Sequence, residues 1–445
     1  MDKFIKIDKG FVPIYEFNKC FDKKVESDGA DLFALSVVRN DGYAESYRLN
    51  VLKEGVDDAL NFKRVERFIK TVLWTVGGYK LKIVANDTLY SAIEKAYSHG
   101  GLRDFDVNFF EKVYGVPFSV ERVFSVQDGR REFISASKNE RGERIGLDAG
   151  GSDIKISAVT DGKVLFSKEI LWQPKVNSDP DYHVKFINDA LDEASSHLKR
   201  VDAIGVSSAG IYVNNEARVA SLFIKVADRD YDKVRTIYVD SAKRLGAPVT
   251  VANDGDVAAM AGAISMNISG VLGIAMGTSE AVGFVDDDNN LWGWLNELAF
   301  VPVDMNENAM VDEWSGDVGV GVKYLSQDGV IKLSEMAGIK FSSDVPSERL
   351  KAVQSLLENG DETAKTVFED VGVYLAYSLL YYYDLYNFKN VLLMGRVMSG
   401  VGGEIIINKA KEVLCYYNAD KKFRLLLPDE NFRRLGQSVV ASYLG

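Results

Sequence analysis

Apolar and polar positions in the first 126 residues follow two different periods, which predicts a mixed α/β region. Residues 32–38 and 43–51 are strand-like runs around Asn40-Asp41-Gly42, a turn sequence typical of a β-hairpin. Further along, apolar residues recur at the spacing of one helical face, which predicts a helix. These residues are Val65, Phe68, Ile69, Val72 and Leu73. Residues 127–144 are polar and charged without a clear period, so we expect a linker there.

Strand-like runs alternate with helical runs in the rest of the chain, which predicts α/β architecture. The first three strand-like runs, at residues 145–149, 155–159 and 164–171, are joined by turns that contain glycine. A helix, two more strands and a second helix follow them. Another lobe is predicted from near Gly270, and its longest element is a helix at residues 362–387.

These patterns divide the chain into a mixed α/β N-terminal domain, a linker and two lobes. We place the domain at residues 1–126, the linker at 127–144, the first lobe at 145–265 and the second lobe at 266–434. A C-terminal helix at residues 435–445 is expected to close the first lobe. The task of the N-terminal domain stays open between capping a cleft and forming an interface in a homodimer.

The composition narrows the class of protein. Of the 445 residues, 47% are hydrophobic and 27% are charged, as in ordinary soluble globular proteins. A net charge of −12 disfavours extended binding to nucleic acid, because it repels the phosphate backbone. Two cysteines and three histidines, without metal-ligand spacing, exclude a disulfide framework and a multi-thiolate zinc site. The sequence contains no apolar run that is typical of a signal peptide or long enough to span a membrane. We therefore expect a cytoplasmic protein with no membrane partner.

The octapeptide from Asp148 to Lys155, DAGGSDIK, lies between two predicted strands and is the first candidate site. Gly150 and Gly151 let the backbone approach a ligand closely, and successive N–H groups in such a turn bind anions, with the Ser152 hydroxyl as a further donor. Asp148 could hold Mg²⁺ directly or through a water molecule, and Lys155 could neutralise phosphate charge. An ordinary glycine-rich hairpin is the alternative interpretation.

Asn253 and Asp254 stand where a predicted buried strand gives way to a helix. A carboxylate at this junction often caps the helix, and for this motif alone capping is the favoured interpretation. The functional hypothesis makes Asp254 the general base that accepts a proton from an acceptor hydroxyl and aligns it for attack on a γ-phosphate. Asn253 would then hydrogen-bond a substrate hydroxyl.

Two further glycine-containing turns complete the candidate site. Gly277 and Thr278 lie between two predicted strands and could present N–H groups and a hydroxyl to β- and γ-phosphates. Glu280 argues against this, because a carboxylate beside phosphate is unfavourable unless it points away or binds through a metal. Gly395 and Gly402 follow a predicted strand and could let the backbone and a helix N-terminus lie against adenosine. Plain hairpin and loop roles are the alternatives.

The order of these motifs resembles that of the ROK family of sugar kinases and repressors, from about residue 145 to the C-terminus. The resemblance implies a two-lobed actin-like ATPase core of the ribonuclease H-like type, with ATP and Mg²⁺ as cofactors. It makes Asp148 the metal-side carboxylate and Asp254 the catalytic base. Gly210 falls in the small-residue loop beneath the sugar. Asn296-Glu297-Leu298-Ala299 resembles the Gly-Glu-x-Gly segment, in which Glu297 would bind sugar hydroxyls.

The sequence departs from the family pattern on the sugar side. Phe300 stands where the family has a histidine that binds both zinc and sugar, and the segment 316–320 has no thiolate in place of the zinc loop. Val322 replaces a sugar-binding glutamate, and Ser279 and Ala281 replace common glycines. We therefore expect no structural zinc and a changed sugar pocket. The N-terminal region lacks the winged helix of ROK repressors, which disfavours a DNA-binding role.

Together these patterns favour an ATP-dependent carbohydrate kinase that phosphorylates a sugar or sugar-like hydroxyl. A non-catalytic sugar or nucleotide sensor or scaffold of the same family is the alternative, because the second phosphate turn is altered and the histidine is lost. A kinase for an amino sugar or a small acid is the enzymatic variant. A DNA-binding regulator is the least favoured, and neither nucleic acid nor membrane is expected as a partner.

Overall fold

The N-terminal region forms a four-stranded sheet in the order β2-β1-β3-β4, with β1 antiparallel to β2 and β3, and β3 parallel to β4. The β1–β2 hairpin turns at Asp41 and Gly42, whose φ angles are 54° and 73°. Its elements are α1 (Ile14–Asp28), β1 (Ala30–Val38), β2 (Ala44–Leu52), α2 (Asp58–Thr75), β3 (Lys80–Val84), α3 (Asp87–Ala96), α4 (Asp104–Tyr114) and β4 (Ser119–Arg122). The predicted hairpin and the predicted α2 are confirmed.

The structure is a computed structural model that describes residues 3–127, 129–136, 138–139, 141–428, 432 and 436–444. The predicted linker contains a short strand, β5 (Ile134–Ser135), and the start of the next strand. β5 pairs antiparallel with β15 (Asn290–Leu291), a short strand of the second lobe. Among the described residues, no helix combines the length and the apolar character that crossing a membrane requires.

The first lobe is built on a five-stranded sheet in the order β12-β9-β6-β7-β8. β12, β9 and β6 are parallel, whereas β7 and β8 run antiparallel to their neighbours. Its elements are β6 (Glu143–Ala149), β7 (Asp153–Thr160), β8 (Lys163–Leu171), α5 (Pro180–Ser195), β9 (Ala203–Ser208), β10 (Ile211–Val213), β11 (Glu216–Val219), α6 (Asp232–Arg235), α7 (Ile237–Arg244), β12 (Val249–Asn253) and α8 (Asp254–Met266).

A short C-terminal helix, α13 (Gln437–Ala441), packs on the first-lobe sheet. Glycines make the contact close, because backbone carbonyls of α13 lie where side chains on Gly146 and Gly205 would be. Within the segment 435–445, residues 437–441 are thus helical. Residues 435 and 445, its predicted ends, lie outside the described residues.

The second lobe carries a four-stranded sheet in the order β14-β13-β16-β17, in which only β14 is antiparallel to its neighbour. Among the described residues of this lobe, four helices, α9 to α12, and short turns accompany the sheet. The remaining elements are β13 (Val271–Met276), β14 (Glu280–Val285), α9 (Gln327–Met336), α10 (Pro346–Glu358), α11 (Glu362–Tyr386), β16 (Asn390–Met394), α12 (Gly400–Tyr416) and β17 (Arg424–Leu426). The long predicted helix is confirmed as α11.

The N-terminal region and the second lobe share one continuous apolar core, which includes Trp74 and Tyr374, whereas the first lobe has its own core. The start of the chain extends this contact, because the backbone N–H groups of Lys6 and Ile7 donate to the carboxylate of Asp370 on α11, at 3.0 and 2.7 Å. A chain segment that buries apolar area against a lobe is stabilised with it. The N-terminal region is therefore anchored to the second lobe.

Candidate nucleotide and acceptor site

Hydrogen bonds from Trp172 fix the turn between β6 and β7. Trp172 makes two hydrogen bonds to it: the indole N–H donates to the Gly150 carbonyl at 2.8 Å, and the backbone N–H donates to the Ser152 carbonyl at 3.1 Å. Within the described residues, neither Gly151 nor Ser152 donates its backbone N–H to a protein acceptor. Adjacent unpaired N–H groups in a turn attract anions, so this turn is suited to phosphate.

Asp148 lies at the end of β6 and is almost fully buried. One carboxylate oxygen accepts from the Ser207 hydroxyl at 2.7 Å, and the other lies 4.0 Å from Lys155 Nζ, which is too far for a hydrogen bond. Burial raises the pKa of Asp148, and Ser207 and Lys155 oppose that rise. Lys155 pairs more closely with Asp153, at 3.1 Å. Its charge is therefore largely compensated within the protein.

The turn between β13 and β14 repeats this arrangement in the second lobe. The backbone N–H of Gly277 donates to Ser279, and its carbonyl accepts from Gln327 at 2.9 Å, while in the described chain the N–H groups of Thr278 and Ser279 have no protein acceptor. Thr278 is exposed, and its hydroxyl accepts from Arg396 at 3.1 Å. The second turn is thus also open to an anion, with a guanidinium beside it.

Glu280 begins β14, but its side chain does not face this turn. Only 4% of the residue is exposed, and neither carboxyl oxygen has a hydrogen-bond partner among the described residues. The carboxyl lies inside the second lobe, beside Gly321. Burial, with repulsion from Glu297, raises the pKa of Glu280 to about 8. The carboxyl therefore points away from the proposed phosphate position and is largely neutral at pH 7.

The two glycines assigned to adenosine have different surroundings. Gly395 has a φ of 94° and packs on the backbone of Met276, which brings the end of β16 against the second turn. Gly402 is buried inside α12, and a Cβ there would lie 2.7 Å from the Phe368 ring. Close packing of α12 on α11 thus gives a structural reason for Gly402. A contact of either glycine with adenosine stays a prediction.

At the start of α8, the capping role falls to Asn253 rather than to Asp254. The Asn253 side-chain oxygen accepts from the Gly255 N–H at 2.7 Å, and its amide group donates to the Gly210 carbonyl at 2.8 Å. Gly210 has a φ of 129°, a conformation that favours glycine. Asp254 is the first residue of the helix and half-buried, and its carboxylate accepts from the adjacent Gly255 N–H, at 3.0 Å, and from its own backbone N–H. The rest of its hydrogen-bonding capacity is left for a ligand.

Asp254 interacts electrostatically with the two other predicted acids of the site, Asp148 and Glu297. Burial raises the pKa of Asp254, and the charge of Lys175 partly opposes that rise. Burial, with repulsion from Asp254 and Asp256, raises the pKa of Glu297 to about 7, and Asp254 also contributes to the raised pKa of Asp148. A group of carboxyls with raised pKa values in a cleft is typical of a functional site.

The N-terminal region holds the segment that carries Glu297. The backbone N–H groups of Asn296 and Glu297 donate to the carbonyls of Thr75 and Trp74, both at 3.0 Å, at the C-terminal end of α2. Phe300, which stands in place of the family histidine, packs among aromatic rings. Its ring centroid lies 4.6 Å from that of Trp74 and 4.8 Å from that of Trp314. The segment that carries Glu297, on the predicted acceptor side, is thus packed against and hydrogen-bonded to the N-terminal region.

A buried ion-pair network lies where the resemblance places the zinc loop. Asp317 contacts Arg67 at 2.9 Å, Lys70 at 3.2 Å and Arg103 at 3.0 Å, and all three cations come from the N-terminal region. Lys70 also pairs with Asp106 at 2.8 Å. These cations hold the pKa of Asp317 far below its ordinary range, against the effect of burial. The segment is therefore fixed by charge pairs that cross from α2 and the start of α4.

A cavity of about 320 Å³ lies where the N-terminal hairpin, the first lobe and the second lobe meet. Asn253 and Gly210, two of the predicted substrate-binding residues, line it, whereas Asp254 and Glu297 do not. Its lining includes Arg39 and Tyr43 from the N-terminal region, Gly210 and Asn253 from the first lobe, and Trp294 and Leu295 from the second lobe. The predicted acceptor side is thus bordered by all three parts of the chain.

The residue-by-residue interpretation of the sequence missed several side chains at this site. Trp172, which holds the first turn, and Lys175, which lies on it, follow β8 in a segment without a recognisable motif. Arg396 is adjacent to the predicted Gly395, and its basic side chain was a usable signal. The Asp317 network had no local signal, because its members are far apart in sequence.

Comparisons with known proteins agree with this fold. The sequence matches the ROK family over residues 144–428. A ROK hexokinase from Thermus thermophilus superposes with a TM-score of 0.54 and 16% identity, over 68% of this chain and 98% of that one. A ROK family transcriptional regulator, described as a homologue of the E. coli MLC protein, superposes with a TM-score of 0.50 and 16% identity, over 68% and 78% of the two chains.

No curated protein matches the chain. The ROK match spans well over half of the residues and contains both turns, Asp254 and Glu297. The two-lobed actin-like core of the solved ROK structures is the fold found here, preceded by an additional N-terminal region. The chain therefore belongs to the ROK family.

Proposed function

We propose that this protein is an ATP-dependent sugar kinase that transfers the γ-phosphoryl group to a hydroxyl of a sugar or sugar-like acceptor. The observation that carries the proposal is the freedom of Asp254. Asn253 caps α8, so the Asp254 carboxylate, which accepts only short-range backbone hydrogen bonds among the described residues, has lone pairs left for an acceptor hydroxyl. Two turns with unpaired N–H groups, one from each lobe, supply the phosphate side.

In this mechanism the acceptor hydroxyl donates its proton to Asp254 while its oxygen attacks the γ-phosphorus. The N–H groups at Gly151 and Thr278 hold the phosphate oxygens in line. The raised pKa of Asp254 makes it a stronger base than an ordinary carboxylate once it is ionised. Closure of the lobes would exclude water, whose attack is the competing reaction.

Mg²⁺ fits the residues on the first-lobe side of the site. The second oxygen of Asp148 has no hydrogen bond to Lys155 at 4.0 Å, and carboxylate oxygen is a donor that Mg²⁺ prefers. Asp148 would therefore hold the ion directly or through a water molecule. When bound, Mg²⁺ neutralises charge on the phosphates.

Release of ADP from Mg-ATP, measured across a panel of monosaccharides, tests the proposal. We expect turnover with at least one sugar by the wild-type protein. Asp254→Asn should lower that turnover by about 10²–10⁴-fold, the usual contribution of a general base, and retain ATP binding. Asp189→Asn, which changes an exposed carboxylate on α5, should have no effect. Absence of turnover with every sugar, or full turnover by Asp254→Asn, would contradict the proposal.

A non-catalytic regulator that binds a sugar or a nucleotide is the second candidate. It is favoured by the aromatic packing of Phe300 in place of a histidine and by the structural likeness to a ROK transcriptional regulator. Titration calorimetry separates the two functions. Sugar or ATP binding without ADP release under any condition would favour the regulator.

A further inference from the structure

The segment after β8 is fixed to the first phosphate turn. Trp172 is 2% exposed and holds both the Gly150 and the Ser152 carbonyls. Pro174 is also buried and begins a short 3₁₀ helix, Pro174–Val176. Because Lys175 follows these anchored residues closely, its backbone has a defined position beside the turn.

The side chain of Lys175 lies over Gly151. A Cβ on Gly151 would be 3.0 Å from Cε of Lys175 and 3.2 Å from its Nζ. These separations are shorter than ordinary van der Waals contact, so the absence of a side chain at position 151 accommodates the lysine. The ammonium group is therefore next to the two unpaired N–H groups of the turn.

Lys175 differs from Lys155, the lysine that sequence analysis assigned to phosphate. Lys155 Nζ is 3.1 Å from Asp153. Lys175 is exposed and has no carboxylate within ion-pair distance in the part of the chain that the structure describes. Its charge does act on Asp254, whose pKa it lowers against the effect of burial. Thus a cation without a carboxylate partner in the described chain lies beside the first turn and acts electrostatically on the proposed base.

We propose that Lys175 is a catalytic residue that donates hydrogen bonds from its ammonium group to oxygens of the transferred phosphoryl group. The inference rests on the proposed kinase function. In the transfer step, the acceptor hydroxyl loses its proton to Asp254, and its oxygen forms a bond to the γ-phosphorus. The bond from that phosphorus to the β-phosphate oxygen breaks, and its electron pair leaves with ADP. Lys175 stays protonated and offsets negative charge on the phosphoryl oxygens.

Lys175→Met tests this role in the full-length protein, with the sugar that the wild type phosphorylates. We expect kcat to fall by about 10²–10³-fold, the usual effect of removing one electrostatic donor, and KM for the sugar to change little. Lys175→Arg keeps the charge and should restore part of kcat. Lys163→Met is the matched control, because Lys163 is exposed and begins β8 at the end far from the turn. It should behave as the wild type.

The pH profile distinguishes a catalytic role from a structural one. Without the positive charge, Asp254 is harder to ionise, so the acid limb of kcat should move to higher pH in Lys175→Met and stay unchanged in Lys163→Met. Equal kcat values and pH profiles for Lys175→Met and the wild type would overturn the inference and leave the kinase function intact. A fall in kcat for Lys175→Met that Lys175→Arg reproduces in full, with no pH shift in either, would overturn it too. A wild-type protein without turnover would instead overturn the kinase function itself.

Discussion

The proposed nucleotide side and the proposed acceptor side of the cleft are built in different ways. On the nucleotide side, two hairpin turns expose N–H groups through short local sequences, and each is supported from within its own lobe, the first by Trp172 and the second by Gln327 and Arg396. On the proposed acceptor side, the backbone N–H of Glu297 donates a hydrogen bond to a carbonyl at the C-terminal end of α2. Asp317 forms ion pairs with three cations of the N-terminal region. The proposed phosphate site therefore depends on backbone geometry within each lobe, whereas the proposed acceptor site depends on a distant part of the chain.

The largest effect on stability is expected from breaking the Asp317 network. Asp317→Asn leaves the charges of Arg67, Lys70 and Arg103 without their shared carboxylate in a buried site. Loss of one partner from a buried pair typically costs about 3–5 kcal/mol, so unfolding by urea should show a decrease of that order. The affinity for ATP should change little if the protein is assayed under conditions in which it stays folded.

Glu307→Gln is the matched control for that prediction. Glu307 pairs with Lys63 at 2.8 Å across the same boundary, but its side chain is 82% exposed. Exposed ion pairs contribute little to stability because water and salt screen them, so this variant should be nearly as stable as the wild type. Equal small losses for Asp317→Asn and Glu307→Gln would show that the N-terminal charges do not hold the acceptor side.

The next effect is the pH dependence of stability that arises from the buried carboxyl of Glu280. In the folded protein the group keeps its proton up to about pH 8, whereas its ordinary pKa is 4.5. The unfolded chain therefore binds fewer protons between these values, and stability falls as the pH rises, by at most about 1.4 kcal/mol per pH unit from this group. Glu280→Gln should flatten that decline in urea unfolding at pH 5.5–8.

Glu358→Gln serves as its control, because Glu358 is exposed at the end of α10. The decline of stability with pH should be the same in this variant as in the wild type. If Glu280→Gln showed that same decline, the Glu280 carboxyl would not be the buried neutral group described above.

A smaller effect, on ATP affinity, is expected when a tryptophan of the proposed nucleotide side is replaced, but not when one of the proposed acceptor side is replaced. Trp172→Phe keeps a ring but loses the hydrogen bond to the Gly150 carbonyl, which typically costs about 1 kcal/mol. If that cost falls on the first turn, ATP affinity should fall by about fivefold, as measured by calorimetry. Trp314→Phe changes a half-exposed ring of the acceptor side and should leave ATP affinity unchanged. Equal ATP affinities for both variants would contradict the assigned role of Trp172.

The same contrast explains how much the sequence predicted. Both turns, the strand before Asp254 and the long helix α11 carry local signals, namely glycine pairs, apolar runs and helical periodicity, and all were predicted. The capping of α8 by Asn253 was not, because either of two neighbouring polar residues suited that position. Helices α1 and α10 were also missed, since only four and three of their residues are buried; α9 was missed as well, although six of its ten residues are buried.

The remaining features arise from contacts between residues far apart in the chain. Nothing near Asp317 indicates Arg67, Lys70 or Arg103 as its partners, more than 200 residues away. The continuous core of the N-terminal region and the second lobe also consists of contacts between distant residues. Apolar periodicity predicts which face of an element is buried, but it does not predict which other element covers that face. The attachment of the proposed acceptor side to α2 therefore could not be predicted from the sequence and is seen only in the structure.

Amide hydrogen exchange with a non-hydrolysable ATP analogue and Mg²⁺ tests most directly whether one nucleotide bridges the two lobes. At short labelling times, we expect slower exchange in peptides that contain Gly151 and Ser152 and in those that contain Thr278 and Ser279. Protection of both turns should saturate at the same analogue concentration, whereas the hairpin turn at Asp161 should exchange as before. Protection of only one turn, or of neither, would contradict a shared nucleotide site between the lobes.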